Sequence, residues 1–176
     1  MSDSPQYIIE PLDTTRHRRA EFVCETPELT DFLQKRARKE MEGRASACFV
    51  LVAASDLGRI VGYYTLSQTS VIAQKLPEAM TKKLPRYPEL GATLLGRLAR
   101  DLAWRGKGIG RLLLVDALRR SVRLSAEAGA VVVVTDPKDQ SARTFYQAYG
   151  FQPLDERRLF IPMKDVMERE AKGWTA

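Results

Sequence analysis

The run Arg105-Gly106-Lys107-Gly108-Ile109-Gly110 is where residue type and spacing speak most directly of chemistry. Glycines at alternate positions let the backbone take φ values closed to other residues. They also leave no side chain over the start of the segment that follows, so main-chain N–H groups can converge on an anion. Arg105, Lys107 and Arg111 add positive potential, and a helix dipole there contributes about 0.3 to 1 kcal/mol per favourable charge. The natural ligand is a phosphate. A Walker loop needs Ser or Thr after Gly-Lys, where Gly108 stands, and a Rossmann fingerprint needs its third glycine where Arg111 stands. Both nucleotide patterns therefore lose their main support, and the bland alternative is a glycine turn that only connects two elements.

Other reactive side chains are sparse. The stretch Asp139 to Phe151 reads as a capped helix stopped by Gly150, with Ala142, Phe145 and Tyr149 as its packing face. Tyr146 sits beside that stripe, so its hydroxyl can point into a cleft, packing being the alternative. The single histidine, His17, reads as a solvated loop or helix residue and is not assigned as a base. Cys24 and Cys48 form no metal-ligand pattern and read as buried thiols.

The elements that must position these groups follow from periodicity. Leu94 to Gly129 reads as strand, glycine turn and helix, with Leu114, Val115, Leu118, Val122 and Ala126 as the buried stripe. Arg119, Arg120 and Arg123 face outward, and Asp116 is spaced to pair with Arg120. Ala130 to Thr135 is a wholly apolar strand, and strand-helix-strand at this spacing predicts a parallel pair with a right-handed crossover. Upstream, Tyr7 to Leu12 is a short strand, and Thr26-Pro27 opens a helix marked by Leu29, Phe32, Leu33, Ala37 and Met41. Its Lys35, Arg36, Arg38 and Lys39 are either a solvated face or a phosphate-tracking patch. Ala47–Ala54 and Ile60–Leu66 predict an antiparallel hairpin about the turn Ser55 to Gly58, the second run extending toward Ile72. Leu76 to Leu84 is a short helix or ordered loop, joined by Pro85-Arg86-Tyr87-Pro88 to the central strand. Near the end, Phe160 to Lys164 reads as the last strand and Asp165 to Ala176 as a polar helix, with Trp174 loose or at a subunit contact.

Composition bounds the possibilities. With 176 residues, 44% hydrophobic, the chain suits one domain over 1–176 with a proper core. It has no apolar run long enough for a bilayer, and its opening Met-Ser-Asp-Ser-Pro-Gln lacks signal-peptide character, so a cytoplasmic protein is expected. A net charge of +6 and pI near 9.5 favour polyanions without choosing among CoA phosphates, RNA and acidic proteins.

Arg105-x-x-Gly108-x-Gly110 between strand and helix resembles the acyl-CoA signature of the GNAT N-acetyltransferase family. Ala142-x-x-Phe145-Tyr146-x-x-x-Gly150-Phe151, about thirty residues on, resembles its second signature, whose tyrosine protonates the departing CoA sulfur. The resemblance implies an α/β (α+β) GNAT fold: a mixed central sheet, a V-shaped splay between its two parallel strands, and helices on both faces. It implies acetyl-CoA as cofactor, with the pantetheine on main-chain groups of Leu98, Ala99 and Arg100. Arg105, Gly106, Lys107, Gly108, Ile109, Gly110, Arg111, Asp139, Ala142 and Tyr146 complete the implied cofactor site, with Tyr146 as the acid and no metal.

A closer likeness runs from Phe22 to Phe151. Val61 to Ser67, Leu84 to Pro88, Leu95 to Ala99 and the Phe22-Val23-Cys24 start resemble the acetylating toxins of bacterial toxin–antitoxin pairs. That resemblance implies acetylation of the α-amine of aminoacyl-tRNA, which blocks translation, and as partners a ribbon-helix-helix antitoxin and a second copy of the chain, with no membrane. Arg100 replaces a commoner small apolar residue, Arg105 a commoner Gln, and Glu25 a commoner Gly. Lys35, Arg36, Lys82, Lys83, Arg86 and Arg97 are the candidate tRNA phosphate contacts, Arg97 being equally suited to a structural ion pair. No general base is visible; an α-amine titrating near roughly 8 needs little help, whereas a lysine near roughly 10.4 needs more. The alternatives are a housekeeping acetyltransferase of a small amine or protein N-terminus, and a non-catalytic acyl-CoA or RNA binding module.

Overall fold

The computed structural model describes residues 6–174; the first five positions and the last two, which the readings of the N-terminus and the tail helix include, lie outside the described residues. The strands are β1 (Tyr7–Pro11), β2 (Ala47–Ala53), β3 (Asp56–Ile72), β4 (Glu89–Arg100), β5 (Val132–Thr135), β6 (Gln152–Pro153) and β7 (Leu159–Pro162). The helices are α1 (Pro27–Asp31), α2 (Ala37–Glu42), α3 (Glu78–Thr81), α4 (Ile109–Ala128), α5 (Gln140–Ala148) and α6 (Met163–Lys172). The strands form one mixed sheet in the order β1-β2-β3-β4-β5-β7-β6. The β4/β5 pair is parallel and holds Ala92–Leu94 against Val132–Val134. β5 ends one residue later, at Thr135, while β4 runs on to Arg100.

By contacts the chain falls into two compact units. The first contains residues up to Ser67 and Gly96–Ala117; the second contains Gln68–Leu95 and the residues from Leu118 on. In the first, Phe22, Phe32, Leu33, Val50 and Tyr63 form the centre of the core. Phe22 meets the Tyr63 ring edge-on at 5.4 Å and Phe32 stacks on it at 6.1 Å, contacts worth about 0.5 to 1.5 kcal/mol each beyond burial. Burial pushes the Tyr63 phenol up, and its hydroxyl donates to the Leu29 carbonyl at 2.6 Å. The second unit packs Val71, Leu76, Leu90, Ala92, Val132, Val134 and Phe160.

Several boundaries move from their expected places. The Thr26-Pro27 helix is interrupted by a π turn over Phe32–Arg36, which shifts the face carrying Lys35 and Arg36. The hairpin turns at residues 54 and 55, because Ala53 already pairs with Asp56. On α4 the buried residues are Ile109, Leu113, Leu114, Val115, Ala117, Leu118 and Ser121; Ala126 is exposed. Asp116 accepts the Tyr64 hydroxyl at 2.5 Å. The last strand stops at Pro162, whose ring nitrogen has no N–H to donate to a ladder, and α6 begins at Met163. Trp174 is neither loose nor at the surface: it is buried, and its indole N–H donates to Glu170 at 2.5 Å. His17 is likewise buried rather than solvated. Its Nδ1 accepts the Asp13 N–H and its Nε2 reaches Glu10, each at 2.8 Å, so both ring nitrogens are engaged in structure. Among the described residues no helix is long and apolar enough to cross a membrane.

Candidate active site

The glycine turn is set by the end of β4. Asp101, almost fully buried, caps a 3-10 turn over Leu102–Trp104 by accepting the Ala103 N–H at 2.9 Å. The same carboxylate accepts the Val23 N–H at 3.1 Å and pairs with Arg59 at 3.2 Å, tying the turn to the N-terminal segment. Arg59 lies over the Trp104 ring at 5.2 Å. Positive φ in the turn belongs to Gly106 (+74°) and Gly108 (+72°), while Gly110 is already the second residue of α4, so two glycines rather than three supply the left-handed backbone. A Cβ on Gly106 or Gly108 would meet nothing within 4 Å, so the turn presents open backbone. The first N–H groups of α4 lack intrahelical partners, which together with this open backbone makes an anion cradle.

The predicted cofactor residues divide between the two units. Arg100 and Arg105 share one partner, Glu25, at 3.5 Å and 3.6 Å. All three departures from the expected pattern thus belong to a single ion-pair cluster. Lys107 and Arg111 are exposed, Ile109 and Ala99 buried, and Leu98 half-buried. In the second unit Asp139 caps α5 by accepting the Ala142 N–H at 2.8 Å, which brings these two predicted residues together.

Tyr146 is the most buried residue of α5, where the stripe Ala142, Phe145 and Tyr149 was expected to lead; Phe145 and Ala142 are only half-buried. The Tyr146 ring lies 5.3 Å from Phe145 and 5.4 Å from Phe151. Burial pushes its phenol up to about 12, with a hydrogen bond to the Thr135 side chain offsetting part of the rise.

The six basic candidates differ in surroundings. Lys35 pairs with Asp31 at 3.0 Å and Arg36 with Glu40 at 3.1 Å. Arg97 lies over the Phe32 ring at 3.6 Å and pairs with Glu40 at 3.6 Å. Lys82, Lys83 and Arg86 are exposed on the segment between α3 and β4. Sequence reasoning missed Asp101 and Thr135. Their signals were an acid placed just before a short turn and a hydroxyl closing an all-valine strand.

Comparison with known proteins decides the family. The family described as "Acetyltransferase (GNAT) domain" matches residues 46–153, more than half of the chain. The chain belongs to the GNAT acetyltransferase family. The match runs from β2 through the glycine turn and Tyr146 to β6. Among GNAT relatives, "Probable toxin TacT" of Sinorhizobium fredii is 32% identical, covering 90% of this chain and 92% of the relative. A tRNA-acetylating toxin of Mycobacterium tuberculosis is 33% identical, covering 93% of each. The solved structure of AtaT complexed with acetyl-methionyl-tRNAfMet superimposes with a TM-score of 0.86 at 27% identity, covering 93% of this chain and 98% of AtaT.

Proposed function

We propose that this GNAT protein is a cytoplasmic toxin that transfers acetyl from acetyl-CoA to the α-amine of aminoacyl-tRNA and so blocks translation. The residues of the turn fit the cofactor: Gly106 and Gly108 leave the space above the backbone free, and Arg105, Lys107 and Arg111 surround it with positive charge. Acetyl-CoA, when bound, supplies a thioester activated for transfer to an amine. Gly106 to Arg111 would hold the diphosphate by main-chain N–H groups, and Leu98 to Arg100 would align the pantetheine.

Tyr146 keeps its proton at the phenol oxygen at neutral pH, since burial pushes it up to about 12. That proton would be available to a departing thiolate, which is the general acid role given to Tyr146. An α-amine titrates near roughly 8 and its neutral form is abundant without a strong base.

The observation that carries the reading is that a chain about one-third identical to a tRNA-acetylating toxin over nearly its whole length has both an open glycine turn and a buried, protonated tyrosine. A single GNAT domain is supported by one family match that runs through both units. A toxin of this kind is paired with an antitoxin, here of the ribbon-helix-helix class, and works as a homodimer. The test is incubation of the purified protein with radiolabelled acetyl-CoA and a charged tRNA pool. Label that stays with the aminoacyl group and is released by mild alkali is expected. Label found only on polyamines, small amines or protein N-termini would overturn the substrate assignment in favour of a housekeeping enzyme.

A further inference from the structure

We infer that Asp101 and Arg59 are the positioning residues of the glycine turn, so that a largely buried ion pair at its entry sets the affinity for acetyl-CoA rather than the rate of transfer. The inference rests on the reading of that turn as the coenzyme cradle. Asp101 stands between the last residue of β4 and the 3-10 turn Leu102–Trp104, which leads directly into Arg105 and Gly106. It is only 3% exposed, and a carboxylate removed from water is tolerable only when donors fill its oxygens. Oδ1 accepts the Ala103 N–H at 2.9 Å, while Oδ2 accepts the Val23 N–H at 3.1 Å and Nη2 of Arg59 at 3.2 Å. The main chain adds to the same anchorage: the Asp101 N–H donates to the Val61 carbonyl at 2.8 Å and the Leu102 N–H to the Val23 carbonyl at 3.0 Å. Every one of these groups belongs to the first compact unit.

The two glycines have no comparable support. A Cβ placed on Gly106 or Gly108 would meet no neighbour within 4 Å, and glycine accepts either sign of φ, so the direction of the cradle depends on where its entry is held. The constraint passes along the chain: the Trp104 N–H donates to the Asp101 carbonyl at 3.1 Å and the Arg105 N–H to the Leu102 carbonyl at 3.3 Å. Arg59 reaches across from β3. Its guanidinium lies over the Trp104 ring at 5.2 Å while pairing with Asp101, so one side chain holds both the carboxylate and the residue next to Arg105. Its Nε is buried with no acceptor among the described residues, and a buried ion pair is weak evidence of stability, since apolar replacements of similar volume often serve as well. What apolar residues cannot do is receive the Val23 and Ala103 amides and so fix how the chain enters the turn. The diphosphate is remote from the reacting carbonyl and is bound alike in ground state and transition state, so a misdirected cradle weakens binding and leaves the transfer step alone.

The test uses Asp101→Asn, whose amide N–H2 faces a donor whichever way it is set, and Arg59→Met, which keeps an apolar stem and removes the charge. Each should raise KM and the calorimetric Kd for acetyl-CoA about 10-fold, with kcat at saturating coenzyme and KM for the amine substrate within about twofold. Arg59→Lys, which keeps the charge, should recover to within about threefold of the parent, and the double variant should lose about 10-fold rather than about 100-fold, because both changes act through one contact. A role in stability alone would lower the melting temperature and the active fraction while leaving KM of the active enzyme unchanged. Should Asp101→Asn fold poorly, Arg59→Met at its partly exposed position carries the comparison. An unaltered KM in the folded Arg59→Met variant, or a fall in kcat at saturating coenzyme with KM unchanged, would overturn the inference. Gly108→Val, which fills the open side of the turn, should abolish coenzyme binding; an intact affinity there would remove the cradle itself and the inference with it, so the two failures are distinct.

Discussion

The carboxylate of Glu25 stands 3.6 Å from the guanidinium of Arg105, the first residue of the glycine turn. It also reaches Arg100 at 3.5 Å, so one acid neutralises part of the charge that the turn would otherwise offer an incoming diphosphate. Arg105 is three-quarters exposed, and exposed pairs are worth little, so the competition is mild and easily screened. Glu25→Gln should lower KM for acetyl-CoA about two- to fivefold at low salt with kcat nearly unchanged. The advantage should fade as salt shortens the Debye length toward about 3 Å near 1 M. Initial rates across a salt series decide it, and an unaltered KM at low salt would release Glu25 from this role.

Lys82, Lys83 and Arg86 are the exposed cations whose loss leaves the packing alone. Replacing all three by alanine should raise KM for charged tRNA and make its logarithmic salt dependence shallower by about two to three, the expectation when up to three phosphate contacts disappear. The melting temperature and KM for acetyl-CoA should stay put. A tRNA salt slope equal to the parent's would place the nucleic acid elsewhere, with Lys35, Arg36 and Arg97 the next set to vary.

Asp155 provides a pH signature of the fold. It accepts the Arg158 N–H at 2.8 Å, the Arg157 N–H at 3.0 Å and the Lys75 ammonium at 3.1 Å. The backbone donors, Arg158 first, hold its carboxyl down to about 2 against an ordinary 3.8. A depressed carboxyl contributes stability that is fully present above its unfolded value and is lost as pH falls through its folded one. Asp155→Asn should therefore be less stable than the parent near neutrality, and the gap should close between about pH 4 and 2. Thermal melts followed by circular dichroism at several acidic pH values measure it. A gap that stays constant to the lowest pH would show that the carboxylate charge plays no part.

What could be read from the chain was what is written locally. A glycine turn needs only its own residues to declare itself, as does a helix ending Phe145-Tyr146 and stopped by Gly150, and Val131 to Val134 can hardly be anything but an interior strand. The interactions that hold these pieces were out of reach because their partners are far away in sequence. Thr135 meets Leu95 across forty residues, Asp101 meets Val23 across seventy-eight, and Glu25 meets Arg100 across seventy-five. His17 looked solvated because it sits in the polar and basic run Thr14 to Arg19, yet Glu10 and the Asp13 amide satisfy both ring nitrogens and make its burial tolerable. The π turn over Phe32–Arg36 leaves the apolar spacing of its helix nearly unchanged, so periodicity passed over it.

The chain has two tryptophans, and their settings make them separate optical reporters. Trp104 lies under the Arg59 guanidinium on the doorstep of the glycine turn, while Trp174 is enclosed and bonded to Glu170, which also holds Arg119 at 2.8 Å. Emission from the first, isolated by Trp174→Phe, follows events at the turn; emission from the second, isolated by Trp104→Phe, follows undocking of the tail. Binding and local unfolding can thus be timed independently on one polypeptide without an attached dye.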